Sequence, residues 1–346
     1  MRSGFLPVRV VHVHPTRTCN LACAHCYSES SPSARGALGA DVLIDALGRL
    51  RGQRYENVSI SGGEPLVYRP LDRLAAAAAE QGYGVHLITN GVLLTERRLR
   101  TLREHVQLIG VSLDGCEETH NAVRGRDDAF RNAVRALRTL ADSGVPFGIV
   151  FGVSARSLGD VPWAFELATE LGARLLHLRP LAPEGRAQTM ADAWTLSHED
   201  CARLIVLTEI LGGIGRDGPR VQVDLVAATD LGTAREQFEL LRATPNVTQL
   251  SDAVNPLVID DQGRCLPFVF GIDPSFEVAR IPSTAPDLFR PELDRLDRLA
   301  ILLRLAFREA ELQGAPYLDW FAHLSRVSRR FDDAKRAAAV DAAMAR

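Results

Sequence analysis

Through the first half of the chain, short apolar runs alternate with stretches whose apolar residues recur every three to four positions. Residues 8–13, 58–61, 85–88, 108–113, 147–153 and 175–178 are short and rich in Val, Ile, Leu and Phe, the pattern of strands buried on both faces. Residues 41–50, 70–81, 95–105, 128–143 and 158–171 carry apolar stripes of helical period between them. Thr95 predicts an N-cap, and Gly82, Gly144 and Gly172 predict helix ends. Strand–helix alternation repeated about six times predicts an α/β fold, a parallel sheet with helical crossovers curled into a full or partial barrel.

The pattern changes after residue 195. Residues 197–211 predict a helix, 221–226 a strand and 231–242 a helix. Residues 257–259 and 264–270, joined by Asp260-Asp261-Gln262-Gly263, predict a β-hairpin. Residues 282–291 are Pro-rich and linker-like, and 292–310 and 319 to the end predict two amphipathic helices.

In parallel α/β barrels the chemistry gathers at the C-terminal ends of strands. The distinctive motifs fall there: Cys19, Cys23 and Cys26, Gly62-Gly63-Glu64-Pro65, Thr89-Asn90-Gly91, Ser112-Leu113-Asp114-Gly115 and Arg179-Pro180. The cysteines have the spacing C-x3-C-x2-C. Four thiolates would complete a [4Fe–4S] cluster, whereas three leave one iron open to a substrate or cosubstrate. A zinc site with a distant fourth ligand or a disulfide framework are the alternatives. Zinc normally asks for a second Cys or Cys/His pair, and the sequence shows no second C-x2-C or H-x3-H. His12 and His14 alternate on the first strand and so share a face.

Composition narrows the class. The chain has 346 residues, 46% hydrophobic and 24% charged, with net charge −3. No basic field argues for nucleic acid, and no apolar run is long enough to span a membrane. The first seven residues do not read as a signal peptide, and six cysteines fit a reducing cytoplasm.

Over residues 8–186 these motifs resemble the radical S-adenosylmethionine (SAM) superfamily. His120-Asn121, Val123-Arg124-Gly125 and Arg179-Pro180-Leu181 resemble its SPASM- or twitch-containing branch, which modifies peptides, proteins and some small natural products. The resemblance implies a partial (β/α)6 TIM-like barrel and two cofactors, one [4Fe–4S] cluster and SAM. It implies Cys19, Cys23 and Cys26 as cluster ligands. It implies that Gly62 and Gly63 allow close backbone approach to the SAM methionine moiety, with Glu64 accepting from the ammonium. Ser112 and Asp114 would meet ribose or substrate, Arg124 the SAM carboxylate, and Leu181 the adenine. His25 would meet adenine through its backbone, and Asn90 would line the cavity floor. For each, the alternative is an ordinary turn, surface or packing role. The implied chemistry is reductive cleavage of SAM to a 5′-deoxyadenosyl radical that removes a substrate hydrogen. An electron donor such as flavodoxin or ferredoxin would be needed.

A full SPASM domain carries about seven cysteines, yet only Cys201 and Cys265 lie in the C-terminal half. The expected organisation is a radical SAM core over 1–226, a small degenerate SPASM- or twitch-like α+β domain without auxiliary clusters over 227–290, and C-terminal helices over 291–346. Cys116 and Cys265 are candidate hydrogen-atom donors, against simple packing. The expected substrate is a ribosomally made peptide. The short N-terminus leaves no room for a leader-binding domain, which favours the alternative of a small molecule such as a sugar, nucleoside or amino acid. A non-catalytic iron–sulfur or zinc protein is the reading from another class.

Overall fold

In the first six barrel strands the residues of one parity are apolar and buried, and those of the other are mixed, with Gly, Ser and His beside Ile88 and Val150. Val11 and Val13, Val58 and Ile60, Val85 and Leu87, Ile109 and Val111, Ile149 and Phe151, and Leu176 and Leu178 are almost inaccessible. Their neighbours His12, His86, Ser112, Val150 and His177 are only half-buried. Such a sheet needs an apolar cover on one side only.

The computed structural model shows how that cover is supplied. It describes residues 8–331 apart from 191, 215–217, 229, 232–234, 236–238 and 240–246. Strands β1 (Val10–Val13), β2 (Asn57–Ile60), β3 (Gly84–Thr89), β4 (Leu108–Leu113), β5 (Phe147–Val153), β6 (Leu175–Pro180) and β7 (Arg220–Val223) are parallel neighbours in sequence order. The crossovers contain α1 (Ala40–Arg51), α2 (Leu71–Glu80), α3 (Glu96–Leu102), α4 (Glu117–Arg124), α5 (Ala129–Ser143), α6 (Val161–Glu170) and α7 (His198–Ile214). The stripes Leu43, Leu47 and Leu50 of α1 and Leu71 and Leu74 of α2 join the inward strand residues in one core. Each such side chain contributes about 1.5–3 kcal/mol by leaving water. Right-handed crossovers put every helix on one side, so the other side of the sheet is the concave face of a partial barrel. Register runs straight across it: His12 pairs with Ser59 and Ser59 with His86, Ser112 pairs with Val150 and Val150 with His177.

Residues 226–227 form not a continuation of β7 but β8 (Val226–Ala227). The expected hairpin forms as β9 (Leu257–Ile259) and β10 (Arg264–Pro267), flanked by β11 (Ala279–Arg280). Asp260 shapes its turn, accepting from the backbone N–H groups of Gln262 and Arg264. β10 stops at Pro267 because Phe268 turns to φ 68°. β9 pairs in parallel with β1, so the hairpin extends the barrel sheet. Among the described residues nothing pairs β7 with β11, and the barrel is not closed by hydrogen bonds.

Two long helices follow, α8 (Leu293–Gln313) and α9 (Trp320–Arg329), joined by β12 (Tyr317–Leu318), which pairs with β8. Trp320 stacks on Phe307 at 4.6 Å between centroids. The helix expected over 231–242 lies mostly outside the described residues, as does the chain past 331. No described helix is long and apolar enough to cross a membrane. The sequence pattern missed α4. Its buried residues are His120, Val123 and Arg124, so an apolar period is absent.

Tyr55 ties the hairpin segment to the barrel: it is fully buried, and its hydroxyl donates to the Val254 carbonyl at 2.6 Å. Tyr55→Phe leaves that acceptor unpaired and is expected to cost about 1–3 kcal/mol, read from the urea midpoint. An unchanged midpoint would show that water reaches the carbonyl.

Candidate active site

The cysteine loop follows β1 and is built by backbone contact with the loop after β2. Gly63 N–H donates to the Thr16 carbonyl at 2.8 Å and Glu64 N–H to the Thr18 carbonyl at 3.0 Å. A Cβ on Gly63 would lie 2.2 Å from the Thr18 oxygen, and Gly62 sits at φ 102° against His14. Here these glycines are needed because the chain approaches itself. That packing fixes the residues immediately before Cys19.

Glu64 is buried at the next position. Its carboxylate accepts from Leu66 N–H at 3.1 Å, Thr89 hydroxyl at 2.7 Å and Asn90 N–H at 2.9 Å. Burial pushes its carboxyl up, against these three bonds. Asn90 in turn reaches the loop, its Nδ2 donating to Asn20 Oδ1 at 2.8 Å and to Cys19 Sγ at 3.8 Å.

On the other flank, Asp114 ends β4 and lies buried beneath the loop. It accepts from Arg124 Nε at 2.5 Å and from Arg124 Nη2 at 3.1 Å, and it meets His25 Nε2 at 2.9 Å. His120 Nδ1 lies 3.3 Å away and accepts the Asp114 N–H. Burial alone would push the Asp114 carboxyl up. The Arg124 guanidinium, then His25 and His120, outweigh it and hold the carboxyl well below the usual range. Arg124 also reaches Cys23 Sγ at 3.9 Å. One Arg–carboxylate pair thus touches both the residue before Cys26 and the middle cysteine.

A third grip comes from beyond β6. Arg186 donates through Nε to the Cys23 carbonyl and through Nη2 to the Ser30 carbonyl, each at 2.8 Å. Its own N–H donates to the Cys26 carbonyl at 3.1 Å. Gly185 precedes it with φ 54°, and a Cβ there would lie 2.5 Å from the Cys26 oxygen. Glu184 ties this strap to Arg329 on α9. Sequence reasoning missed Glu184, Gly185 and Arg186. The signal available was a lone Gly-Arg pair after Arg179-Pro180-Leu181, too common to weigh alone.

The structure brings together Cys19, Cys23, Cys26, His25, Gly62, Gly63, Glu64, Asn90, Asp114 and Arg124. Ser112 is half-buried on β4, and Leu181 is held by its N–H to the Val153 carbonyl at 2.8 Å. Cys116 precedes α4 and donates its backbone N–H to Asp160 at 2.9 Å. Cys265 lies in the apolar core opposite Ile259, fully buried, and burial pushes its thiol well up. His12 and His14 lie beside the site with Tyr27. His14 stacks on Phe270 at 4.9 Å, and Tyr27 meets the same ring at 5.5 Å.

The donor set fits a thiolate-bound cluster. Each sulfur is met by a donor: Cys19 by Leu21 N–H at 3.4 Å, Cys23 by Arg124, and Cys26 by Ser30 N–H at 3.3 Å. Burial pushes the Cys19 thiol up to about 12, against its bond from Leu21 N–H, and raises Cys23 against the charge of Arg124; the neighbouring thiols add to both rises. A bound cation reverses that balance. Among the described residues no group of three or more His, Cys, Asp or Glu side chains is arranged to hold a single metal ion.

Residues 13–166 match the Radical SAM superfamily. The chain is 36% identical over 194 residues to an AdoMet-dependent heme synthase of Methanosarcina barkeri, covering 55% of this chain and 56% of that protein. It is 35% identical over 199 residues to the mycofactocin maturase MftC of Mycobacterium ulcerans, covering 57% and 53%. The structure of Streptococcus suis SuiB bound to precursor peptide SuiA shares the fold, with TM-score 0.62 and 16% identity over 85% of this chain and 64% of that one. The chain spans about half the length of the curated relatives it matches. The superfamily that residues 13–166 match uses a [4Fe–4S] cluster and SAM.

Two outcomes follow from this geometry. Gly63→Ala must displace Thr18 and is expected to cost about 1–3 kcal/mol. Gly159→Ala, with open space around its Cβ, should stay within about 0.5 kcal/mol. Equal denaturation midpoints would refute the close-approach argument. Arg124→Gln strands the buried Asp114 and is expected to cost about 3–5 kcal/mol. Because Asp114 is held low in the folded state, this stabilisation is full above its unfolded value near 4 and is lost as pH falls below it. The gap between variant and wild type should therefore narrow on acidification from about pH 5 downward, measured by urea titration at each pH; a gap that widens would contradict the assignment.

Proposed function

We propose that this chain is a radical SAM enzyme that modifies a ribosomally synthesised peptide by removing a substrate hydrogen. The reading rests chiefly on one observation: a three-cysteine loop is gripped from three sides at the C-terminal mouth of a partial barrel whose concave face is polar. Cys19, Cys23 and Cys26 would hold the cluster, which would supply the electron for reductive cleavage of SAM.

The chain's own residues do the positioning. Asn90, Arg124 and the Ser30 N–H stabilise negative charge on the three sulfurs. Glu64 retains acceptor capacity beside Asn90 for an ammonium. Asp114 orients His25 and Arg124 and, with Ser112, stands where ribose or substrate would lie. Leu181 is assigned to the adenine side. The segment 227–290 covers the mouth and contributes to substrate binding, as a degenerate SPASM-like unit. Cys116 is the better placed hydrogen-atom donor, being at the strand-end face, whereas Cys265 serves the core. A flavodoxin or ferredoxin supplies the electron. Six unpaired cysteines fit a reducing, cytoplasmic setting.

Maturases among the relatives support the peptide substrate. A second reading, a small-molecule substrate, is favoured by the heme synthases, which include the 36% identical relative. The two are separated by incubating the reconstituted, dithionite-reduced protein with SAM and candidate precursor peptides. A peptide mass shift together with 5′-deoxyadenosine is expected. Peptide-independent turnover with small-molecule fractions would transfer the assignment to the second reading. Cys19→Ala, Cys23→Ala and Cys26→Ala should each abolish the visible absorbance of the cluster and 5′-deoxyadenosine together. Persistent 5′-deoxyadenosine in all three would end the proposal.

A further inference from the structure

Toward the C-terminal end of β6, on the concave face, β6 and the turn after β7 form a polar group that holds no cysteine. Asp224 joins two side chains of β6, meeting His177 Nε2 at 2.6 Å and accepting from Arg179 Nε at 2.9 Å. Both of its oxygens are thereby used. Arg179 is not: its side chain is 56% accessible although it sits on the concave face, and among the described residues nothing bonds its two terminal amines. A water-accessible guanidinium with one edge anchored and the other free is a preorganised fork.

A second unmet group lies close by. His14 is 95% buried, and its Nδ1 has no hydrogen-bond partner. It is close enough to Arg179 to feel its charge, as are His12 and Tyr27. Burial, with the charges of Arg179 and neighbouring histidines, lowers His12 to about 4 and His14 to about 3, so both are neutral near pH 7. The other acid facing Arg179 is Asp319. It caps α9 by accepting from Ala322 N–H at 3.0 Å, and burial raises its carboxyl to about 6. The open valence is therefore on the donor side, at Arg179, and His14, whose ring lies within its field, packs with Tyr27 and Phe270 in an aromatic wall.

We infer that Arg179, with His14 beside it, is a binding site for a carboxylate of the substrate, set on the barrel's concave face at the C-terminal end of β6. In the peptide reading, on which this inference rests, that carboxylate is an acidic side chain or the C-terminus. Arg179 binds it through its terminal amines while Asp224 fixes the plane of the fork. His14 Nδ1 gives a second polar contact, and the aromatic wall covers the apolar atoms next to the carboxylate.

The test uses a probe pair of equal shape, benzoate and benzamide, titrated into the SAM-loaded, reconstituted protein without reductant and followed by ligand-observed NMR. Wild type is expected to bind benzoate at least about ten-fold more tightly than benzamide, as a charge-assisted pair would. Arg179→Gln should erase the preference and Arg179→Lys should keep part of it, with circular dichroism and cluster absorbance confirming folded, loaded variants. Equal wild-type affinities for the two probes, a measurement needing no variant, would overturn the inference. So would benzoate binding that Arg179→Gln leaves intact, or benzoate that binds only when SAM is omitted, since Arg179 would then serve SAM. Because no reductant is present, failure of the radical SAM reading itself shows separately, as absent 5′-deoxyadenosine in the turnover assay.

Discussion

A buried carboxylate, Asp114, carries the geometry of the site. Left alone in the interior it would be protonated or would destabilise the fold. It stays ionised because Arg124 pairs with it through two nitrogens and His25 through a third. These partners lie far apart in sequence, on α4 and in the cysteine loop, so satisfying one charge docks three elements together. Gly152 leaves room for it: a Cβ there would fall 2.6 Å from the Asp114 Oδ1. The pair is also why α4 exists without an apolar stripe. Its buried face is spent on a charge and on His120.

The same economy recurs around the loop. A cluster-binding loop cannot be held by its thiols, which must remain free to ligate. The chain therefore grips it through backbone: Thr16 and Thr18 carbonyls by the glycine loop, and Cys23 and Cys26 carbonyls by the Arg186 strap. Both grips require glycine, since each brings two main chains closer than a Cβ allows. Glu184 carries the second grip on to Arg329, linking α9 to the loop in a continuous polar chain.

Division of labour across the sheet follows from strand parity. The outer face, Val- and Leu-rich, stabilises the barrel. The concave face carries His12, His14, His86, His177 and Arg179, which a stability argument would never choose. Polar groups placed in a cavity cost stability unless something binds there. Their concentration on the concave face sets that polar surface apart from the cysteine loop.

The sequence alone determined the strand–helix order, the strand-end position of the motifs and the three-cysteine loop, because period and spacing are local properties of the chain. It also carried the superfamily resemblance, since those motifs are short and contiguous. Tertiary structure alone decided the rest. Gly62 and Gly63 pack against the chain itself, Arg124 pairs with Asp114, and β9 extends β1. Arg186 and Glu184 carried no readable pattern. Each of these depends on which distant groups share a buried volume, and burial is what turns an isolated charge or carbonyl into a demand for a partner.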